Sequence, residues 1–435
     1  MKKKSASIQT RLRQAIQSLA VIMVAGAIGV VAARADNWPN WRGPSLDGVA
    51  AGKGYPAEWG PNKNILWQVQ LPGPGASSPA VWEDRIIVTC SIAGKNAVVC
   101  FDRAGRELWR KELGSERSGK HAKATGSNPS PVTDGTHIYL YFKSGELCCL
   151  NMQGNVIWEI NLQQRFGEDT LWWDLGTSPV LSSHALVVAV MQTGPSYLVA
   201  FDKLDGRMLW KHDRNLGAPE EAAQSYSTPV VIPAASGIGE TLVVLGADHV
   251  TAHDSSTGDE LWRVGGLNPT GHKYFRSIAS PVISDGIVIA PYARGETLTG
   301  VTLGGSGDVT QSHLAWERKD LGADVPTPAA INGRVLLCTD KGTVACLAAK
   351  TGKTIWTGEL EKNRSAYSAS PIIVDGKILL TREDGVTFVL EEGDEFKVLA
   401  RNVMDEMIVA TPACVDGQIF LRGRDHLWCI ASPVQ

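Results

Sequence analysis

The stretch Ile65-Leu66-Trp67-Gln68-Val69-Gln70-Leu71 has the form of the end of a repeating unit whose beginning is absent. A small or branched apolar residue followed by Trp returns at regular intervals, with tryptophans at Trp109, Trp158, Trp210, Trp262, Trp316 and Trp356. Each later copy closes a unit that starts with a Ser-Pro or Thr-Pro pair, whereas the copy at Trp67 follows no such start. The location of the other strands of this unit therefore decides the fold.

Eight Ser-Pro or Thr-Pro pairs mark the starts of the units. Their prolines are Pro79, Pro131, Pro179, Pro229, Pro281, Pro328, Pro371 and Pro412, spaced 41 to 52 residues apart. Units of this length suit a propeller blade of four short strands. In the unit at 327–360, turns at Asn332-Gly333, Asp340-Lys341-Gly342 and Thr351-Gly352-Lys353 separate four short runs, which predicts antiparallel strands.

The last unit explains the isolated strand at 65–71. Residues 411–431 predict three strands, and no fourth follows before Gln435. We therefore expect 65–71 to form the outer strand of this final blade and to close the ring. The sequence predicts an all-β protein, with an eight-bladed β-propeller of four-stranded antiparallel blades over 63–435. The tryptophans are expected to fill the gaps between blades, and Leu399 is expected to take their place in the seventh unit.

The first 62 residues are predicted to precede the propeller. Residues 1–35 combine basic residues with an apolar run from Leu19 to Ala33 and the small-x-small site Ala33-Arg34-Ala35, which is typical of a secretory signal peptide. An uncleaved membrane anchor is the alternative, although this run is shorter than the roughly 20 residues that span a bilayer. No cysteine follows the cleavage site to carry a lipid anchor. We expect a periplasmic or secreted protein without stable membrane insertion after cleavage, and an extended leader at 36–62 whose aromatic residues lie on the main body.

Charge and cysteine content narrow the partners further. The chain has 42 basic and 45 acidic residues, and six basic but no acidic residues lie in 1–35, so the remaining chain carries a net charge of −9. This charge argues against nucleic acid and anionic membrane surfaces as partners. Cross-strand disulfides between Cys90 and Cys100 and between Cys338 and Cys346 are one interpretation of the eight cysteines, and buried free thiols are the other.

Three segments of the chain resemble a known family. They are Ala200-x-Asp202 ahead of Gly206 and Trp210, Ala252-x-Asp254 ahead of Gly258 and Trp262, and the leader segment Trp38-Pro39-Asn40-Trp41-Arg42-Gly43-Pro44. The first two resemble the tryptophan-docking motif of pyrroloquinoline-quinone (PQQ)-type propeller repeats, a family that includes quinoprotein dehydrogenases and the assembly factor BamB. The third resembles the leader of exported bacterial PQQ-like propellers. The resemblance covers about 38–431 and implies an eight-bladed fold, which hosts many functions.

The resemblance raises the question of a cofactor, since the enzymes of this family hold PQQ with calcium, an Asp base and often a vicinal disulfide. Cys148-Cys149 is a vicinal pair, but it lies in a predicted strand where successive side chains point to opposite faces. The segment 254–260 is interpreted as a blade hairpin and not as a calcium loop. We predict no metal and no cofactor, and no residues in the sequence support PQQ with calcium.

A binding site is expected on the loops that join each outer strand to the next inner strand. In a propeller these loops share one face and reach the central channel, where a rigid scaffold can present them to a ligand. The candidate residues on these loops are His121, Asn128, Trp173, Asp174, Tyr226, Arg276, Asp324 and Tyr367. Solvated loops without a binding role are the alternative for any one of them.

We predict from this pattern an exported, monomeric, non-catalytic binding or scaffold propeller similar to BamB, with no catalytic residues. Its partner would be an envelope or secreted protein, or a small ligand, at the channel face. The alternative is a PQQ-dependent quinoprotein oxidoreductase acting on an alcohol or a sugar. A carbohydrate-binding accessory protein is a third reading, compatible with the Trp and Tyr residues of the loops.

Overall fold

The computed structural model describes residues 36–235 and 239–433, so the predicted signal peptide at 1–35 lies outside the described residues. Eight sheets of at least four strands make up this part of the chain, which confirms the predicted eight-bladed propeller. No helix within the described ranges is long and apolar enough to span a bilayer.

The first half of the propeller contains the leader strand, the isolated strand and the first four blades. Its strands are Val49–Ala50 (β1), Ile65–Gln70 (β2), Ala80–Trp82 (β3), Arg85–Ile92 (β4), Lys95–Asp102 (β5), Glu107–Ser115 (β6), Val132–Thr133 (β7), His137–Tyr141 (β8), Glu146–Asn151 (β9), Val156–Asn161 (β10), Val180–Leu181 (β11), Leu186–Val190 (β12), Tyr197–Phe201 (β13), Met208–Asp213 (β14), Val230–Ile232 (β15), Thr241–Gly246 (β16), His249–Asp254 (β17) and Glu260–Val264 (β18). Blades 1 to 4 use β3–β6, β7–β10, β11–β14 and β15–β18.

The second half contains the remaining blades, and each half contains one short helix. Its elements are Val282–Ser284 (β19), Ile287–Tyr292 (β20), Thr297–Thr302 (β21), Gly307–Asp308 (β22), Leu314–Arg318 (β23), Ala329–Ile331 (β24), Arg334–Cys338 (β25), Thr343–Ala348 (β26), Thr354–Glu359 (β27), Ile372–Val374 (β28), Lys377–Thr381 (β29), Val386–Glu391 (β30), Val398–Val403 (β31), Ala413–Val415 (β32), Gln418–Arg422 (β33) and His426–Ile430 (β34), with the helices Leu162–Phe166 (α1) in the first half and Thr310–His313 (α2) in the second. Single 3-10 turns occur at Glu220–Ala223 and Ala293–Gly295. Two blades gain a fifth, parallel strand, because β22 pairs with β18 and β1 pairs with β28.

The isolated strand closes the ring as predicted. β2 pairs antiparallel with β34, with Trp67 opposite Cys429 and Gln68 opposite Trp428. The eighth blade therefore has the strand order β2-β34-β33-β32 and joins the two ends of the described propeller. A ring closed by pairing in this way has no free terminal blade to protect.

A β-bulge lies at the same place in all eight outer strands. In each strand the register skips the residue before the tryptophan position, as between Ile65 and Trp67. In blade 7 the skipped residue is Leu399, and Ala400 pairs with Val389 at the tryptophan position. The prediction that Leu399 replaces the tryptophan is wrong, because the bulge shifts the strand by one residue and turns Leu399 to solvent, where it is 38% exposed.

The tryptophans dock onto the next blade, as expected for packing residues. The indole N–H of Trp67 donates to the carbonyl of Arg103 at 2.8 Å, and that of Trp158 donates to Lys203 at 3.0 Å. The ring of Trp158 lies so close to Gly206 that an added Cβ would come within 2.7 Å of it. Gly206 also has a φ of +70°, which disfavours any side chain.

The leader fills the gap that Ala400 leaves between blades 7 and 8. Tyr55 and Trp59 are buried in the same apolar cluster that contacts Ala400. The side-chain amide of Asn402 binds this part of the leader twice. Its Oδ1 accepts from the backbone N–H of Trp59 and its Nδ2 donates to the carbonyl of Ala57, both at 2.9 Å. The aromatics of the leader therefore lie on the body as predicted, and the leader also contributes the short strand β1.

All eight cysteines are buried free thiols, so the disulfide interpretation is wrong. Cys90 stands opposite Ala97, and Cys100 stands opposite Ile87. Cys338 stands opposite Val344, and Cys346 opposite Leu336, so neither pair meets across its ladder. Burial raises the pKa of these thiols, as it does for Cys346, whose pKa rises to about 11.

Candidate functional site

A closed ring of hydrogen bonds lines the central channel. In each blade the hydroxyl of the Ser-Pro or Thr-Pro pair accepts from the backbone N–H of the corresponding residue in the preceding blade, at 2.8 to 3.1 Å. The eight residues are Ser78, Ser130, Ser178, Thr228, Ser280, Thr327, Ser370 and Thr411. The repeat that marks each unit in the sequence therefore also ties neighbouring blades together at the channel wall.

The leader crosses the channel beside this ring. It accepts hydrogen bonds from inner strands on different sides of the ring, because Thr133 of blade 2 donates to Pro39 and Ile373 of blade 7 donates to Gly48, both at 2.8 Å. The indole N–H of Trp41 donates to the ring hydroxyl of Thr411 at 3.3 Å. The leader thus occupies the channel.

Two cavities with shared lining residues lie at the channel face. The first holds about 250 Å³ and is lined by Trp41, by most of the hydroxyl ring and by Asn128. The second holds about 280 Å³ and extends between blades 8 and 1. Lys123 lines both cavities, so together they form one cup over the leader.

Seven of the eight predicted site residues lie at or beside this face. Asn128 lines the cup and its amide donates to the carbonyl of Leu175 at 3.1 Å. Tyr226 also lines the cup, and its hydroxyl donates to Gln224 at 2.9 Å. Tyr367 differs, because it is 2% exposed and packs in the apolar cluster between blades 6 and 7.

Three exposed aromatic side chains form what we call the aromatic ledge: Trp172, Trp173 and Tyr274. They are 45%, 44% and 39% exposed. The first two come from the loop that follows blade 2 and the third from the loop that follows blade 4, and the rings of Trp172 and Tyr274 lie 6.3 Å apart. Large exposed aromatics grouped in this way mark a surface suited to binding.

Hydrogen bonds from below hold the ledge in place. The backbone N–H of Trp172 donates to the Gln224 amide oxygen at 2.9 Å, and that of Trp173 donates to the Tyr226 hydroxyl at 3.1 Å. The indole N–H of Trp173 donates to Glu221 at 2.8 Å. The two tryptophans of the ledge are therefore held by a polar base and do not stand on a free loop.

Glu221 is the centre of that base. It is 2% exposed and lies 3.0 Å from Arg294 and 3.5 Å from Arg276. Arg276 in turn donates to both carboxylate oxygens of Asp324, at 3.0 and 2.8 Å. The predicted residues Trp173, Arg276 and Asp324 therefore belong to one network, in which the carboxylates neutralise the buried guanidinium.

Asp174 organises the neighbouring loop. Its carboxylate forms an ion pair with buried Lys143 and accepts from the backbone N–H of Lys120 and His121 at 2.8 to 2.9 Å. Burial alone would raise the pKa of Asp174, but Lys143 and the two amides hold it below its ordinary value. The ring of His121 lies 6.4 Å from Trp173, so this loop supports the edge of the aromatic ledge.

Asp340, in the turn between β25 and β26 of blade 6, continues the network. It accepts from the backbone N–H of Asp324 at 2.8 Å and of Val325 at 3.1 Å. Burial, with a smaller effect from the negative charge of Asp324, raises the pKa of Asp340 to about 6 despite the two amides.

Few acidic side chains line the two cavities. The second cavity has a single acidic lining residue, Glu116, which already accepts from the Ser91 hydroxyl and the Gly126 N–H, and the first has none. Across residues 36–235 and 239–433, no three His, Cys, Asp or Glu side chains form a group that could hold a metal ion. Cys148 and Cys149 point into different blade interfaces.

The sequence analysis did not predict three features of the site. These are the ring of hydroxyls, the leader that crosses the channel and the buried Arg422 beside the second cavity. The hydroxyl ring had a visible signal, because all eight unit marks carry Ser or Thr before proline. The other two depend on where distant segments meet, which local patterns do not show.

Comparison with known proteins identifies relatives of this propeller. The chain is 22% identical over 330 residues to outer membrane protein assembly factor BamB of Yersinia pestis, covering 74% of this chain and 75% of that protein. The crystal structure of BamB from Moraxella catarrhalis is similar at a TM-score of 0.59 and 16% identity, over 84% of this chain and 99% of that one. A quinohemoprotein alcohol dehydrogenase from Comamonas testosteroni shares the fold at a TM-score of 0.66 and 11% identity, over 93% of this chain and 82% of that one.

The family is shown by the repeats themselves. The profile described as outer membrane protein assembly factor BamB matches residues 49–191, 94–263, 198–310 and 299–398 in overlapping copies. These matches span blades 1 to 7, which is well over half of the chain. The chain therefore belongs to the BamB family of PQQ-like propellers.

Proposed function

We propose that this protein is a non-catalytic scaffold of the cell envelope that docks a partner protein in the assembly of outer membrane proteins. Membership of the BamB family supports a binding propeller, and the names of the relatives supply the process. Export by 1–35 to the periplasm or the exterior is part of the proposal, supported by the signal-peptide pattern of that segment.

The aromatic ledge is the observation that carries this proposal. Trp and Tyr contribute large contact areas to protein interfaces with little loss of side-chain freedom, and they dominate interface energetics. Here three of them are exposed on loops of a closed scaffold, on the face where such loops commonly bind. Because Glu221, Gln224 and Tyr226 hold the two tryptophans, the surface is preformed and a partner would not need to order it.

The charges around the ledge favour a protein over a small apolar ligand. Arg294 is partly exposed and bonds to Glu221 beside Trp173. Lys273, 51% exposed at its side chain, lies over the ring of Tyr274. An apolar centre with a charged rim is the usual anatomy of a protein–protein interface.

The test is to replace the ledge without disturbing its base. A Trp172→Ser, Tyr274→Ser double variant removes two exposed rings and leaves Trp173 on Glu221. We expect the partner recovered from the envelope fraction with the tagged full chain to fall at least about tenfold, since each truncated interface aromatic commonly costs more than 1 kcal/mol of binding.

The matched control removes two apolar side chains of similar fractional exposure elsewhere. Leu108→Ser with Leu209→Ser takes away two side chains that are 44% and 37% exposed at the bulges of outer strands, remote from the channel face. This control should recover the partner at the wild-type level. Equal recovery by both double variants would show that the ledge is not the docking surface.

A further inference from the structure

One buried arginine at the channel face has no acidic partner among the described residues. Arg422 ends β33 in blade 8 and is 1% exposed. Its Nη1 donates to the carbonyl of Ser77 at 3.0 Å and to the Ser77 hydroxyl. Its Nε and Nη2 have no hydrogen-bond partner in the described parts of the chain. Because burying a charge is costly without a counter-charge, these two donors are unusual.

The position of Arg422 is uncharged in every other blade. In blade 8, the second residue after the ring hydroxyl is Ala413, which pairs with Phe420 on the next strand. Arg422 lies two residues after Phe420, and the same rule finds the equivalent position in each blade. The equivalent residues are Thr89, Tyr141, Ala189, Leu245, Pro291, Cys338 and Thr381. The propeller therefore does not need an arginine at this position to build a blade.

The guanidinium is held rigidly beside the second cavity. A Cβ added to Gly75 would lie 2.0 Å from Nη2 of Arg422 and 2.5 Å from the carbonyl oxygen of Thr89, so only glycine permits this approach of the loop. Arg422 lines the cavity of about 280 Å³ together with this loop. A fixed fork of N–H donors next to a cavity is preorganised for a planar or tetrahedral oxyanion.

The other charged groups around the cavity are Arg424, Lys123 and Glu116. Arg424 is exposed, and Lys123 lies 2.6 Å from Glu383, which is outside the cavity lining. Glu116 is already engaged by Ser91 and Gly126. The lining therefore has an excess of positive charge, and burial lowers the pKa of Arg422 only to about 10, which leaves it charged at neutral pH.

We propose that the cavity between blades 8 and 1 binds a small ligand through a carboxylate or phosphate group that accepts hydrogen bonds from Nε and Nη2 of Arg422. Arg424 adds charge at the entrance. The cavity volume suits a small molecule or the end of a chain and not a large cofactor. This site does not involve the aromatic ledge, so its failure would leave the docking proposal intact.

The test measures anion binding to the full chain in chloride buffer at constant ionic strength. Sodium acetate and inorganic phosphate are titrated separately by calorimetry, which distinguishes the two chemistries. We expect saturable one-site binding of at least one of them, with a dissociation constant in the millimolar range or tighter. Absence of saturable binding by both anions would overturn the proposal.

Variants assign any binding to Arg422. Arg422→Thr, which installs the residue that blades 1 and 7 carry at this position, should weaken binding by at least about 30-fold, whereas Lys353→Gln, a remote exposed cation, should leave it unchanged. If Arg422→Thr does not fold, Arg422→Lys is the variant to measure. Lysine keeps the positive charge but lacks the forked N–H donors of the guanidinium, so anion binding should fall about tenfold. Wild-type affinity in a folded Arg422→Thr or Arg422→Lys variant would contradict the assignment.

Discussion

Two buried arginines on the channel face differ in what surrounds them. Arg276, beneath the aromatic ledge, is bidentate to Asp324 and lies 3.5 Å from Glu221. Arg422, on the other side of the cup, donates hydrogen bonds among the described residues only to the neutral groups of Ser77. Both are less than one-tenth exposed, and only the first is neutralised by carboxylates.

In this fold, the partners of a buried charge distinguish a structural group from a binding group. A buried charge that is paired with carboxylates fixes loops, and removing one partner is severe because the other is left alone. A buried charge without partners stabilises nothing by pairing and keeps its donors free for a ligand. The ledge side therefore presents apolar surface on a neutralised base, whereas the blade 8 side presents the charge itself.

The largest effect is expected from Glu221→Ala, which tests whether the base of the ledge is structural. The substitution leaves Arg276 and Arg294 with less acidic charge and removes the acceptor of the Trp173 indole. We expect the free energy of unfolding in urea to fall by about 3–5 kcal/mol. The matched control Glu107→Ala removes an exposed i,i+3 pair with Arg110 and should cost less than about 1 kcal/mol. A loss from Glu221→Ala no larger than the control would show that the ledge base is not structural.

Asp340, on the ledge side, is expected to make the stability of the protein depend on pH. Its pKa of about 6 in the folded protein lies above the ordinary value of 3.8, so the folded state holds the proton more tightly than the unfolded chain. The stability from this group is fully present below pH 3.8 and is lost as pH rises through 6. Between about pH 4 and pH 7, Asp340→Asn should gain about 2–3 kcal/mol of unfolding free energy relative to wild type. A pH-independent difference between the two proteins would contradict the shift.

The smallest expected effect is the stability of Arg422→Thr without added anion. Loss of the bonds to Ser77 is offset by removal of a buried charge without a partner. The free energy of unfolding should therefore stay within about 1 kcal/mol of wild type. A loss as large as that expected for Glu221→Ala would mean that Arg422 is a structural residue and that the two sides of the face do not differ as described.

Most of the fold could be predicted from the sequence because its signals are local. Ser-Pro or Thr-Pro pairs, Asn-Gly and Asp-Gly turns and short apolar runs define each blade. One blade lacks a fourth strand, and the isolated strand at 65–71 supplies it. Leu399 was misplaced because a one-residue bulge is invisible to a pattern of apolar residues. The cysteine pairs failed for the same reason, since a disulfide depends on the register of two strands.

The candidate site could be predicted only as a set of loops. The sequence predicted that these loops share one face because chain direction determines it, and seven of the eight residues lie at or beside the channel face. It could not show that Tyr367 turns into the core or that Arg276 meets Asp324 from the next loop. Nor could it show that Arg422 lacks a partner, because pairing between blades is a property of the closed ring.

The most direct test of the central claim is a photo-crosslink from the ledge in intact cells. A photoreactive residue in place of Tyr274 should form an adduct with a component of the outer membrane protein assembly machinery, because this exposed ring lies 6.3 Å from that of Trp172 on the ledge. The same residue in place of Leu108, exposed to a similar degree on an outer strand, should form none. Adducts of equal yield at both positions, or none at position 274, would contradict docking at the aromatic ledge.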